Sequence, residues 1–467
     1  MTASTNTTTW RDSLARSRDA LRADTGRYII LPAAIIALWR STQLWFGYPT
    51  SQGDNADVEP LKMQLILYSL LPFILITTAA MPDMLFNMVR RLRLPMILMF
   101  ALIGIATILS VNVYGSVRGL MALITLSLPL LYFLWHFGVA KTFKLLQIFT
   151  AVVLIVNWAY AILLPHFGFM TGSLGGAMRG MFMHKNPFGC YCAVTFMLLW
   201  PYRFDLRRPE ILARSVLCLI AIAGVVASRS STAASIFAIG SALMIVWTIL
   251  SRMEDRGLRG LIMLSMLFLS LALLFFFGVL MAGVVAQQFG KDVTFSGRVE
   301  LWEQLWPAVM QRPWFGHGVA TFRQSDYFSS FIHLNWGARS THNTYLEIAL
   351  STGLPSVILW IFILLGTLWR GGMLLSPRQE NFDALRRAIT IIPMIMFVAI
   401  TEAAQMFQPQ SMWALLVIMM MTVSMERDRI AALQRPGQRI YPPVGTPLAP
   451  ASASSVVRAF GATRGLD

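Results

Sequence analysis

Charge is what this chain has least of. Only 13% of its 467 residues are charged, acidic side chains number 22 against 38 basic ones, and cysteine occurs three times. So little charge excludes an ordinary soluble protein of this size, in which about a quarter of residues are ionisable. Cys190, Cys192 and Cys218 all fall inside apolar runs and not in loops at framework spacing. That excludes a disulfide-stapled scaffold and leaves them as small buried side chains. A net charge of +16 raises nucleic acid as a partner. No polar segment carries a basic stripe interleaved with aromatics, so no nucleic acid is expected. There is no internal repeat, and no small-residue cleavage site follows the first apolar run. Met1 to Arg27 therefore reads as an uncleaved polar tail.

Long apolar runs, in contrast, are abundant. The chain is 56% hydrophobic with a mean hydropathy of +0.61. Runs of about 15 to 25 residues suit helices crossing a hydrocarbon layer roughly 30 Å thick, whereas membrane strands would be shorter and would alternate. The expected spans are Tyr28 to Phe46, Met63 to Met81, Pro95 to Val111, Leu120 to Trp135, Leu145 to Leu164 and Phe188 to Tyr202. Ile211 to Ala227, Thr232 to Leu250, Leu261 to Val285, Tyr345 to Trp369, Ala388 to Ala403 and Met412 to Met425 follow. The expected fold is all-α: a polytopic membrane protein of roughly twelve transmembrane helices with one long outward loop. Its parts are a cytoplasmic tail over 1–27, helices over 28–283, a periplasmic loop over 284–341, helices over 342–425 and a proline-rich, disordered cytoplasmic tail over 426–467.

Orientation follows from the bases. With the N-terminal tail inside, clusters such as Arg90-Arg91-Arg93 and Arg252 to Arg259 fall on the same side, and the termini are expected to be cytoplasmic. The exceptions are Arg40, Lys62, Arg118, Arg179, Lys185, Arg229, Lys291, Arg298, Arg312, Arg323 and Arg339. Positive charge where topology disfavours it points to an anionic ligand such as a diphosphate, whose oxygens a guanidinium pairs with bidentately. Salt bridges with Asp292, Glu300, Glu303 and Asp326 are the plainer alternative for the loop arginines. Arg229 stands between two apolar runs in Ala227-Ser228-Arg229-Ser230-Ser231, where an unpaired charge is costly. A phosphate ligand or a snorkelling interfacial arginine both fit it. Leu301, Trp302, Leu305, Trp306 and Val309 form an apolar stripe at helical spacing, suiting a helix that lies on the membrane surface or packs on the bundle.

Three further pieces carry chemistry. Arg298 is followed four residues on by Trp302, then come Pro313 and Gly316-His317-Gly318, then His342-Asn343-Thr344-Tyr345-Leu346 opening an apolar run. His184-Lys185-Asn186-Pro187-Phe188-Gly189 ends an earlier outward loop. Their order and spacing, with the Ser228-Arg229 pair, resemble the O-antigen ligase and polysaccharide polymerase family of membrane glycosyltransferases, over roughly Gly180 to Leu359.

That resemblance implies transfer of glycan from a polyprenyl (undecaprenyl) diphosphate-linked oligosaccharide to a glycan or lipid-linked glycan acceptor, at the periplasmic face of a bacterial inner membrane. It implies inversion at the anomeric carbon, no metal and no cofactor. His342, Arg229 and Arg298 are the expected catalytic residues. Arg339, Asn343, His184, Lys185, Asn186, Trp302 and Arg179 are the expected substrate-binding residues. The His-Lys-Asn motif favours an exopolysaccharide repeat-unit polymerase, with a ligase acting on a lipid A core as the alternative. Asp54, Asp57 and Glu59 could hold a divalent cation in the manner of other polyprenyl-dependent glycosyltransferases, or form a solvated acidic loop. Glu402 could orient a hydroxyl or an arginine, and is left outside the expected site. A secondary transporter is the rival from another class, because an even number of spans with both termini inside is also a transporter plan.

Overall fold

In hydrocarbon a backbone can satisfy its own N–H and C=O groups locally only as a helix, and these apolar runs do so. The computed structural model describes residues 19–42, 59–172, 175–200, 208–270, 272, 298–324, 326–333, 340–402 and 411–433. Among them the β contact is a single isolated bridge, Phe169 to Met178, and no strand forms.

The principal helices are α1 (Leu31–Thr42), α2 (Glu59–Ala80), α3 (Pro82–Arg90), α4 (Leu94–Ile108), α5 (Val113–Leu163), α6 (Lys185–Leu199), α7 (Arg208–Ala227) and α8 (Ser231–Ser251). Then come α9 (Arg298–Gln311), α10 (Thr344–Thr352), α11 (Leu354–Leu374), α12 (Phe382–Thr401) and α13 (Ser411–Leu433). Five of the described helices, α5, α7, α8, α11 and α12, are long and apolar enough to cross a membrane. Six do so if α2 and α3, which bend by 90° at Met81, count as one span. The expected spans Tyr28 to Phe46 and Leu261 to Val285 run partly outside the described residues.

Two expected boundaries move. The spans Leu120 to Trp135 and Leu145 to Leu164 are joined directly, with Gly138 at φ +81° as the break between them. The span Tyr345 to Trp369 is split into α10 and α11 at Gly353, whose φ of +87° ends one helix and starts the next. A side chain at Gly353 would collide with the Trp314 carbonyl, so both the backbone conformation and the close approach require glycine.

The helix α12 is the shaft of the bundle. Of its most apolar stretch 72% is buried, against 22 to 33% for the other span-length helices. It packs on α6, α8, α10, α11 and α13. Polar contacts collect at its two ends. At the Phe382 end, Arg387 donates to the Trp200 carbonyl beyond α6 at 2.9 Å, and Arg386 reaches Thr248 Oγ1 at 2.8 Å. Nearby, Arg259 donates to the carbonyls of Leu375, at 2.8 Å, and Met253. The Arg387 and Arg259 guanidiniums meet the exposed carbonyls at helix C-termini, the negative ends of the helix dipoles. The Thr401 end carries Glu402.

Candidate functional site

Glu402 follows the last residue of α12 with an extended backbone. Its carboxylate gathers side chains from three other segments. Asn186, in the first turn of α6, donates to Oε1 at 3.1 Å; Arg298, the first residue of α9, donates to Oε1 at 3.1 Å; and His342 Nδ1 lies 3.4 Å from Oε2. Arg298 also donates to the Thr401 carbonyl, and Thr344 Oγ1 donates to the Glu402 carbonyl at 2.9 Å. All three titratable side chains keep some solvent access: 18% for Arg298, 22% for Glu402 and 29% for His342. Burial works to raise the Glu402 carboxyl, but the His342 contact and the Arg298 charge outweigh it and hold the group below its ordinary value. An ionised carboxylate only accepts, so Nδ1 is the protonated nitrogen of His342, and in the neutral ring the lone pair sits on Nε2.

Local folding explains how His342 arrives there. Asn343 caps α10, its Oδ1 accepting from Leu346 N at 3.0 Å, so the helix starts at Thr344. His342 therefore precedes the helix. It adopts a left-handed backbone, φ +49°. The turn is held by Thr341, which is fully buried: its Oγ1 lies 3.0 Å from Glu347 Oε2, and its carbonyl accepts from Trp302 Nε1 at 2.8 Å.

Arg229 lies in the tight reversal between α7 and α8. Ser230 caps α8 through Ala233 N, the Ser228 hydroxyl accepts from Ser230 N, and Arg229 between them takes φ +47°. Outside glycine, the left-handed region costs about 1–2 kcal/mol. Among the described residues only Arg229, Ala320 and His342 occupy it without being glycine, and two of these were expected to be catalytic. Strain of this kind clusters at functional sites. The Arg229 guanidinium donates to the Gly175 carbonyl at 3.3 Å, and Lys185 Nζ donates to the Arg229 carbonyl at 2.9 Å.

The His184-Lys185-Asn186 turn thus touches both halves of the site. Lys185 reaches Arg229, Asn186 reaches Glu402, and His184 caps α6 through Asn186 N at 3.3 Å. Burial pushes the His184 imidazole below its ordinary value, against the pull of Glu402. Arg179 is directed elsewhere, donating to the Phe167 carbonyl at 2.9 Å. Arg339, Asp54 and Asp57 lie outside the described residues. Among those described, no group of three or more His, Cys, Asp or Glu could hold a metal ion.

The Gly316-His317-Gly318 segment is a clasp. His317 N donates to the Leu350 carbonyl at 2.7 Å, its carbonyl accepts from Val111 N at 2.9 Å, and its buried ring lies between the Ala308 carbonyl and the aromatic pair Tyr327 and Phe328. Of the expected apolar stripe on α9, Leu301, Leu305 and Val309 sit with Ala308 against Phe322, Phe328, Leu346, Ala349 and Leu350, and Trp302 is partly buried beside them, while Trp306 is exposed. The residue that the sequence left out is Glu402. Its only signal there was a carboxylate closing an apolar run.

Span-length helices around a buried shaft, with a polar cluster at the shaft's end, define a multi-pass membrane protein. Residues 216–361 match the family model described as O-Antigen ligase. The matched stretch holds Arg229, Arg298 and His342, and stops short of Glu402. No curated protein matches the chain.

Proposed function

We propose that the chain is an inverting, metal-independent glycosyltransferase that joins oligosaccharide from a polyprenyl diphosphate donor to a glycan hydroxyl, at the periplasmic face of a bacterial inner membrane. The observation that carries this reading is the convergence of Arg298, His342 and Asn186 on Glu402 at one end of the bundle. In the reaction, the acceptor hydroxyl attacks the anomeric carbon and its proton passes to His342 Nε2. The bond from that carbon to the diphosphate oxygen breaks, and its electron pair leaves with the polyprenyl diphosphate. Glu402 fixes the tautomer and stabilises the imidazolium that forms, as an acid partner does for a general-base histidine. Arg229 and Arg298, and Arg339 from the adjoining loop, offset charge developing on the diphosphate. A diphosphate leaves without needing a general acid.

The remaining parts of the reading follow from the same orientation. In this reading the chain crosses the membrane about twelve times, both termini are cytoplasmic, and residues 284–341 form the periplasmic loop. Repeat-unit polymerisation for an exopolysaccharide is the favoured reaction, through the His184-Lys185-Asn186 motif, and transfer to a lipid A core is the alternative. The test is conversion of a polyprenyl diphosphate-linked donor by purified variants, with yield and melting temperature measured in parallel. His342→Ala and Glu402→Ala each lower turnover by about a hundredfold or more, the scale of losing a positioned proton acceptor. His342→Gln, which cannot take a proton at neutral pH, fails nearly as badly as Ala. Near-normal turnover in well-folded His342→Ala would end the assignment.

A further inference from the structure

The exposed side of α9 changes character along its length. Its first half presents Glu300 and Glu303, while its second half presents Trp306, Pro307 and Met310. The chain then leaves the helix and exposes Trp314 and Phe315. Trp306 and Met310 are one turn apart on one face, and the opposite face is the packed stripe of Leu301, Leu305 and Val309. Trp306, which the sequence counts in the apolar stripe, thus lies on this unburied aromatic edge and not on the packed face.

Its height is fixed by contacts with helices of membrane character. The Pro313 carbonyl accepts from Leu354 N, the first residue of the span-length α11, at 2.8 Å, and the Trp314 carbonyl lies against Gly353. Arg312 Nη1 donates to the Leu109 carbonyl at the end of apolar α4, at 2.9 Å. One and two turns into α11, Ile358 and Phe362 are exposed apolar side chains, as a lipid-facing surface requires. Trp314 and Phe315 thus stand at the mouth of a membrane span, the level at which tryptophan is enriched because its ring is apolar and its N–H prefers water.

We propose that Trp306, Met310, Trp314 and Phe315 form an interfacial anchor seated in the headgroup–acyl boundary of a phospholipid bilayer, holding Arg298-bearing α9 at a fixed depth. The acidic first half of α9 faces water, and the helix dips toward the lipid at its C-terminal end. The anchor stands independently of the glycosyl-transfer reading, since it needs no particular chemistry at Glu402.

The test uses the full chain in phospholipid nanodiscs, with a nitroxide attached in turn at Trp314→Cys, Met310→Cys and Glu303→Cys. Wild type, whose cysteines are all buried, serves as the labelling control. Collisions with dissolved oxygen should exceed those with a water-soluble nickel complex severalfold at positions 314 and 310, and the ratio should reverse at 303. Nickel access at 314 and 310 equal to that at 303 overturns the anchor, because the edge is then in water. Shielding of 314 and 310 from both reagents also overturns it, because another protein surface or a second copy then covers the edge.

Discussion

The two ends of α12 use the same residue types for different purposes. At the Phe382 end Arg386 and Arg387 are almost fully buried, and Arg387 and neighbouring Arg259 are committed to main-chain carbonyls at helix C-termini. At the Thr401 end Arg298 and His342 each hydrogen-bond to Glu402, yet all three keep a solvent-accessible fraction, and His342 and nearby Arg229 hold strained backbone. Arg298 also donates to a main-chain carbonyl, that of Thr401, so burial separates the two ends: a fully buried arginine can stiffen a bundle but cannot meet a ligand. An arginine paired with a carboxylate and still partly solvent-accessible can exchange partners with an anionic ligand.

The strongest way to sharpen this contrast is at Arg229. Arg229→Gly suits the left-handed backbone, so the melting temperature should hold or rise while turnover falls about a hundredfold through loss of the guanidinium. Arg229→Lys keeps the charge without the bidentate fork and should remain badly impaired. Should Arg229→Gly retain activity, the residue is only a turn former.

Arg387→Ala should behave in the opposite sense. Loss of its buried hydrogen bond costs about 1–3 kcal/mol, visible as a lower melting temperature in detergent, with turnover per folded molecule unchanged. A stable Arg387→Ala with lost activity would erase the distinction between the two ends.

The smallest effect concerns pH. The Glu402 carboxyl is held below its ordinary value in the folded chain, so the unfolded chain binds more protons as the solution is acidified. Its stabilising contribution is complete above the ordinary carboxylate value and is lost as pH falls through the lower, folded value. Between about pH 6 and about pH 3 the melting temperature of wild type should therefore fall more steeply than that of Glu402→Gln. Parallel curves would show that the cluster contributes nothing to acid stability.

Much of the candidate site was legible in the sequence because it sits in polar breaks between apolar runs. Arg229, Arg298 and His342 stand out there as charge or imidazole without a topological reason. Asn343 was legible as a residue at a helix start, but its Oδ1 serves the backbone of α10. The broken tenth span was not legible, because Gly353 looks like one more glycine until the Trp314 carbonyl is placed against it. The amphipathic stripe of α9 was correctly periodic, and periodicity cannot tell a packed face from a lipid-facing one.

Local properties of the chain therefore determined that it is helical, apolar enough to span a membrane and basic in the breaks between its apolar runs, because hydropathy, charge and capping act over a few residues. Only the tertiary structure decided which of those bases would meet. Glu402 is more than a hundred positions from Arg298 and over two hundred from Asn186. Polar contacts between such distant residues depend on how α6, α9, α10 and α12 pack, and packing is a property of the whole bundle that no single stretch contains.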